Sequence, residues 1–166
     1  MINTNVRIGH GFDVHKFSAE FDAKKPLILG GYQLDSPYSL IAHSDGDVVL
    51  HALCDALLGA AALGDIGEHF PDTDSTLAGI DSKEILKSVL KLLEDGGFGI
   101  VNIDITAVAQ VPKLSPSRVS MVESICRLTG LDRDRVNLKA TTTERMGYVG
   151  REEGIACYCV VLIGLV

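Results

Sequence analysis

Apolar and polar positions change period several times along the chain, and each change marks an element. The run VRIGHGFDVH at 6–15 reads as a strand interrupted by Gly9 and Gly11, which suggest a bulge or a close backbone approach. A polar loop at 18–26 precedes LILGGYQL, a short hairpin turning at Gly30 and Gly31. From about 47 to 63 the spacing is helical: Val48, Leu53, Leu57, Leu58 and Leu63 supply an apolar face, while Asp47, His51 and Asp55 follow one another at i, i+4 and i+8 along another. The Gly-, Pro- and Asp-rich stretch GDIGEHFPDTDS then reads as a loop. Asp81 with Glu84 three residues on resembles a capping box, and Gly96 and Gly97 close that second helix, which buries Ile85, Leu86, Val89, Leu90 and Leu93 and leaves Lys83, Lys87 and Lys91 outside. Val101, Ile103, Ile105 and Ala107 alternate with Asn102, Asp104 and Thr106 as in a half-buried strand. Ser115 and Pro116 predict the N-cap and first turn of a third helix through Leu128, ended by Gly130. Val136, Leu138 and Ala140 begin another strand that ends in three threonines and Glu144. The final run GIACYCVVLIGLV is apolar at nearly every position and predicts a strand covered on both faces, one of them by another subunit. Strands and helices interleave without a dinucleotide or P-loop glycine signature. The expectation is an α+β fold: a mixed β-sheet with helices packed on one side, in a single domain over 1–166.

Composition narrows the function classes. A chain of 166 residues, 46% of them hydrophobic, is long enough for one domain with a real core and argues against disorder. The formal net charge of −7, with no basic run, disfavours nucleic acid and anionic membranes, so an anionic ligand needs local help. Cys54, Cys126, Cys157 and Cys159 show neither a C-x-x-C pair nor disulfide-scaffold density and read as buried thiols in a reducing compartment. No apolar run reaches membrane-spanning length and MINTNVRIGHGFD has no signal-peptide core, so a soluble, cytoplasmic protein is expected.

Chemistry concentrates in 42–74. One reading of the helix there is a polar stripe meeting water, with Asp45 or Asp47 as N-cap. That leaves His51 unexplained, because Lys, Glu or Gln are better helix formers on a solvated face. Asp13 and His15 point to one side of their strand, a weak signal until His51 adds a third ligand. Three imidazole and carboxylate ligands with one open position form the catalytic zinc pattern. Asp55, one turn beyond His51, is a candidate to orient its imidazole.

The segments GHGFDVH, AHSDGDVVLHALCDALLGAAALGDIGEHFPDTD, AQVPK, KATTTE and GREEGIAC, in this order, resemble the 2-C-methyl-D-erythritol 2,4-cyclodiphosphate synthases over nearly the whole chain. The resemblance implies a homotrimer with sites between subunits and Zn2+ on Asp13, His15 and His51. It places His43 and Ser44 against the methylerythritol phosphate, joined by Asp65, Gly67 and the loop bearing Phe70, Asp72 and Asp74. It assigns Ala109, Lys113, Leu114 and Ser115 to a neighbouring site's cytidine. Thr141, Thr142 and Glu144 go to the diphosphate, Glu144 through Mg2+ or Mn2+, and Tyr148 and Arg151 to a pocket near the trimer axis. The implied reaction is attack of a 2-phosphate oxygen on the β-phosphate of a cytidine diphosphate group, with release of CMP. The nucleophile comes with the substrate, whose phosphate monoester is largely ionised above a second pKa of ~6, so no Ser or Cys nucleophile is needed. His43 and Thr142 are the expected stabilisers of developing charge. Two rivals use the same ligands: a metal hydrolase of nucleotide diphosphates, and a non-catalytic metal-stabilised scaffold. His10 and His69 are expected to be surface or satisfied histidines.

Overall fold

A computed structural model of the chain describes residues 5–71 and 73–166. The first strand, β1 (Val6–Phe17), precedes a small hairpin of β2 (Ile28–Leu29) and β3 (Tyr32–Gln33) and a short β4 (Leu40–Ile41). Helices α1 (Val48–Ala61), α2 (Ile66–His69) and α3 (Ser82–Asp95) follow, then β5 (Phe98–Val108), α4 (Arg118–Thr129), β6 (Val136–Thr141), α5 (Gly147–Gly150) and β7 (Gly154–Leu165). The main sheet is mixed, in the order β4-β1-β7-β5-β6; only β5 and β6 run parallel. The three long helices pack on one face of it, giving the expected α+β architecture.

Gly9 and Gly11 do not form a bulge, since the β1–β7 register runs unbroken from Val6↔Gly164 to Lys16↔Gly154. Their role is close approach. A Cβ on Gly11 collides with the Ala52 carbonyl oxygen and falls 2.8 Å from the Ala56 nitrogen; one on Gly9 collides with the Ala56 oxygen and falls 2.8 Å from the Ala60 Cβ. Helix α1 therefore rests backbone-on-backbone against β1, which no side chain at 9 or 11 permits.

Burial corrects the polar-stripe reading of α1. Apart from half-buried Asp55 and exposed Gly59, the helix is buried all round. Asp47 is its N-cap and is itself fully buried. One carboxylate oxygen accepts from Val49 N (3.1 Å), Leu50 N (3.0 Å) and Gly30 N (2.8 Å), and the other from Gly31 N (2.6 Å). Gly30 and Gly31 have φ of 62° and 73°, the left-handed pair a tight hairpin requires. One acid thus staples the hairpin to the helix start. Burial pushes its carboxyl up to about 6 against the pull of these N–H groups, so the ionised form still holds the turn at neutral pH.

Other elements follow the sequence with local differences. Asp81 caps α3 through Lys83 N, and Gly97 continues the chain at φ 73°. Leu90 is only half-buried, unlike the other four apolar positions of that face. A register shift between Ile100 and Asn102 leaves Val101 out of the alternation, which starts at Ile103. Ser115 is not the cap of α4: Ser115–Ser117 is a separate 3-10 turn, and the helix begins at Arg118 without a side-chain cap. Cys54, Cys157 and Cys159 are buried thiols, whereas Cys126 is only half-buried.

In the single chain β7 is covered along its whole length on one face only; on the other, Ala156 is buried with Val108 and Val149 but the middle of the strand is open. Ile155, Cys157, Cys159, Val161 and Ile163 are buried against the helices. On the opposite face Tyr158 and Val160 remain 43% and 37% exposed beside Ile8, Phe12 and Val14 of β1, with the Phe12 and Tyr158 rings 4.8 Å apart. Among the described residues no helix is long and apolar enough to cross a membrane.

Candidate metal centre and cavity

The glycine-mediated seat of α1 on β1 brings the strand pair Asp13 and His15 against His51 on the first turns of the helix. His51 Nδ1 lies 3.0 Å from Asp13 Oδ2 and 3.1 Å from His15 Nε2, and His15 Nε2 lies 3.5 Å from the same carboxylate oxygen. Donor atoms on a tetrahedral zinc lie about 3.3 Å apart, so the triad has the span to hold one such ion. His15 Nδ1 is 2.9 Å from the Val14 carbonyl, an acceptor only, which commits that nitrogen as donor and leaves the Nε2 lone pair facing the triad. Val14 N donates to the other Asp13 oxygen at 2.8 Å and fixes the carboxylate. No other group of three potential ligands assembles in this way among the described residues.

Electrostatics show how tightly the three are coupled. Burial raises the Asp13 carboxyl, but the His51 hydrogen bond and the charges of both histidines hold it below the usual carboxylate range. Burial lowers His15 despite Asp13. Burial also works against a charged His51, yet the bond and charge of Asp13, with Asp47 and Asp45 behind, lift it above its ordinary value. Three lone-pair donors facing one another need a cation or a proton between them.

The far edge of the His51 ring corrects one expectation. Asp55 does not orient the imidazole; its carboxylate accepts from Ile66 N at 2.8 Å and anchors the start of α2. His51 Nε2 instead meets Ser82 Oγ at 2.9 Å and Ser44 Oγ at 3.2 Å. Ser82 in turn donates its hydroxyl to Asp45. No helical or strand period links 45, 51 and 82, so sequence spacing carried no sign of this set.

A cavity of about 530 Å³ opens beside the triad, walled by Asp13, His15 and His51 together with His43, Ser44, Gly67 and Phe70. His43 is exposed, and its carbonyl is tied to Gly79 N at 2.8 Å. Lys25, from the polar loop 18–26, reaches the carbonyls of Ala42 (2.9 Å) and Ser44 (3.3 Å) from behind. Asp65 and Asp74 act as caps: Asp65 accepts from Glu68 N, Asp74 from Thr76 N and Oγ1, and neither walls the cavity. Asp72 lies outside the described residues. His69 Nε2 is satisfied by the Leu63 carbonyl at 2.8 Å, and His10 is exposed.

The remaining sequence-selected residues form a second group. Ala109 N donates to Thr141 O at 2.9 Å, joining the ends of β5 and β6 and placing the loop with Lys113, buried Leu114 and exposed Ser115 beside the threonines. Thr142 Oγ1 donates to Glu144 Oε1 at 3.0 Å and accepts from Glu144 N at 3.2 Å. Glu144 and Arg145 stand at φ 51° and 64°, two consecutive left-handed non-glycine residues, a strained turn of the kind found at ligand sites. Through the register Asp13↔Cys157↔Ala107↔Ala140, this group lies at the same end of the sheet as the triad but three strands away, ~14 Å at the usual strand spacing. None of it walls the triad cavity. Tyr148 lines a small pocket with Met146, Val149 and Tyr158, while Arg151 pairs with Glu153 at 2.6 Å and does not line it.

A model of the YgbB family matches residues 6–164. The chain is 55% identical over 158 residues to a 2-C-methyl-D-erythritol 2,4-cyclodiphosphate synthase of Nitrosococcus oceani, covering 95% of this chain and 98% of that relative. Among solved structures it superposes on the bifunctional IspDF of Campylobacter jejuni with a TM-score of 0.91 at 45% identity, spanning 97% of this chain and 42% of that longer one. It superposes on the CDP complex of Plasmodium falciparum IspF with a TM-score of 0.83 at 32% identity, spanning 97% of both chains.

Proposed function

The chain belongs to the YgbB family, and from its kinship with 2-C-methyl-D-erythritol 2,4-cyclodiphosphate synthases we propose that it closes a cyclic diphosphate. The substrate is 4-diphosphocytidyl-2-C-methyl-D-erythritol 2-phosphate, the products are 2-C-methyl-D-erythritol 2,4-cyclodiphosphate and CMP, and the reaction class is that of a phosphorus–oxygen lyase in the non-mevalonate isoprenoid precursor pathway. One observation carries the reading: three donors 3.0–3.5 Å apart in the wall of a cavity large enough for a small phosphorylated ligand.

In this reading Asp13, His15 and His51 would hold Zn2+, and Glu144 would help hold Mg2+ or Mn2+ at the substrate phosphates. When bound, these ions supply Lewis acidity and charge neutralisation at the phosphates. The chain's own work is positioning. The substrate's 2-phosphate is already ionised, so what is needed is in-line alignment on the β-phosphate and stabilisation of developing charge. His43 stands at the cavity wall with its backbone pinned to Gly79, which suits it to donate to a phosphate oxygen. The Thr142 hydroxyl donates to Glu144 Oε1 at 3.0 Å, and the same O–H could serve a phosphate oxygen. Each such donor is worth about 2–4 kcal/mol of transition-state stabilisation.

The assembly in this reading is a homotrimer with sites between subunits, in the cytoplasm. Two features support it: the apolar outer face of β1 and β7, and the ~14 Å between the metal group and the loop 109–115 within one chain. A neighbouring copy that supplies Ala109, Lys113, Leu114 and Ser115 completes a cytidine pocket, while Tyr148 faces the axial pocket. Incubation with the substrate, zinc and magnesium, followed by phosphorus NMR and mass, tests the activity. CMP with a cyclic product that has gained no water, abolished by chelator, is expected; a linear, water-added product makes the protein a hydrolase and overturns the reading.

A further inference from the structure

We infer that Asp45 and Ser82 are positioning residues that fix the tautomer of His51 and so hold its Nδ1 lone pair open toward Asp13 and His15. The reasoning is one of donors and acceptors. An ionised carboxylate accepts only, and the Asp45 carboxylate faces Ser82 twice: Oδ1 receives the Ser82 hydroxyl and Oδ2 receives Ser82 N at 3.1 Å. Asp47 N, at 3.2 Å from Oδ1, locks the carboxylate from its own loop. The single hydroxyl hydrogen of Ser82 is therefore spoken for, and only a lone pair of its oxygen remains for His51 Nε2 at 2.9 Å. Nε2 must then carry the ring hydrogen. With Nε2–H as donor, the neutral ring leaves Nδ1 bare.

The alternative tautomer is a real competitor at this site. An Nδ1–H has an acceptor waiting, Asp13 Oδ2 at 3.0 Å, and that arrangement fills the space of an ion with a hydrogen. The Asp45–Ser82 pair decides between the two. Ser44 cannot, because its oxygen accepts from Gly46 N at 3.1 Å while its hydroxyl hydrogen is not claimed by a carboxylate, so it can serve His51 Nε2 as donor or acceptor. The pair is also rigid. Ser82 is fully buried at the first turn of α3, and Asp45 N donates to Ile80 O at 3.1 Å, binding the 43–46 segment to the approach to that helix. Partners beyond the ligands that set a histidine's tautomer shift metal affinity by roughly 10- to 100-fold.

The inference rests on reading Asp13, His15 and His51 as metal ligands, and its test separates the two. The probes are zinc alone, titrated against a chromophoric chelator, and 15N-histidine NMR of the metal-free protein, carried up in pH until the imidazole 15N shifts stop moving, so that the neutral ring is what is read. His51 is identified among the five histidines by difference with His51→Gln. Wild type is expected to show the Nε2–H tautomer. Ser82→Ala is expected to raise the Nδ1–H population and weaken zinc roughly 10- to 100-fold. Asp45→Asn, nearly isosteric, cannot accept from all three donors now facing it and is expected to move both readouts the same way, which keeps the inference testable should Ser82→Ala fail to fold. A wild-type Nδ1–H tautomer, or variants that fold and keep both tautomer and zinc affinity, overturns it. If wild type binds no zinc while the variants still switch the tautomer, the metal reading falls and the relay stands.

Discussion

Replacing Gly11 with Ala tests whether the candidate metal triad depends on how close α1 lies to β1. Gly11 does not have a positive φ, so alanine suits its backbone, and relief of glycine's entropy alone stabilises by roughly 0.5–1 kcal/mol. Against that, the new methyl meets the Ala52 carbonyl and the Ala56 nitrogen, backbone atoms of a helix that cannot swing aside like a side chain. Overpacking of this kind costs about 1–3 kcal/mol, and the helix relieves it by lifting on the order of 1 Å. The steric effect wins, leaving a net loss of about 1–2 kcal/mol, or roughly 3–6 °C in Tm for a chain of this size. The same lift carries His51 Nδ1, now 3.0 and 3.1 Å from its partners, to about 4 Å, past the ~3.3 Å that one zinc spans. Thermal denaturation and zinc competition on the same preparation read both effects. Gly59→Ala, exposed on α1 with nothing within 4 Å of its new methyl, is the control and should stabilise by about 1 kcal/mol. A Gly11→Ala protein with raised Tm, or with lowered Tm and undiminished zinc affinity, refutes the link between helix seat and metal site.

Three more expectations follow from the site. His43→Ala should lower kcat by roughly 30- to 1000-fold while zinc stoichiometry stays at the wild-type value, because the side chain walls the cavity outside the triad; lost zinc places it in the metal shell instead. Asp55→Ala should leave zinc affinity unchanged but speed amide exchange at Ile66 and the α2 turn, since its carboxylate serves that backbone; weakened zinc with a quiet α2 restores it to His51. In the metal-free protein His51 titrates above its ordinary 6.5 and Asp13 below its ordinary 3.8, so the stability of their pair is present between those values, lost upward through the His51 pKa and downward through that of Asp13. The urea midpoint of wild type relative to His51→Gln should therefore be higher near pH 6 than near pH 8.5, a difference that sets aside His15, whose burial-lowered imidazole favours the higher pH, and zinc should bind more tightly as pH rises; calorimetry in two buffers that shows no proton release sinks this.

The legible part of the chain is whatever local period or turn chemistry controls. The Gly30–Gly31 hairpin, the capped α3, the strand alternation from Ile103 and the Asp13–His15 pair two residues apart on β1 are decisions made over a few neighbouring residues, and each is visible as spacing. What local spacing does not show depends on neighbours far along the chain. The stripe Asp47–His51–Asp55 reads as amphipathic because three polar residues recur every turn, yet the helix is enclosed except at Asp55 and Gly59 and each residue answers to a different segment: Asp47 to the hairpin, His51 to β1, Asp55 to α2. Helical periodicity reports which residues share a face and is silent on what that face meets. The last strand shows the converse. Its unbroken apolar run predicts two covered faces, and one chain covers only one of them along its whole length, so the sequence encodes a surface that the folded monomer does not bury.

The same contrast explains why helical spacing pairs His51 with the wrong carboxylate. Asp55 is one helical turn from His51, the separation at which side chains ordinarily meet, whereas Asp45 reaches the ring only through Ser82, 37 residues on. Proximity in the helix loses because Asp55 has a stronger claim on it: Ile66 N opens a short helix and has no partner within that helix, so a carboxylate at 2.8 Å offsets an orphan donor. Asp45 is free to serve because the adjacent Asp47, not Asp45, caps α1. The motif Asp45-Gly46-Asp47 thus divides its labour, one acid for the fold and one for the ring, and Gly46 at φ 81° is the joint that turns them in different directions. A Gly46→Ala substitution strains that left-handed joint and brings a methyl within 3.2 Å of the Leu40 Cβ. It should disturb the His51 tautomer and the hairpin staple together, whereas substitutions at Asp45 disturb the first alone; equal loss of hairpin amide protection in both variants would show that the two acids are not independent.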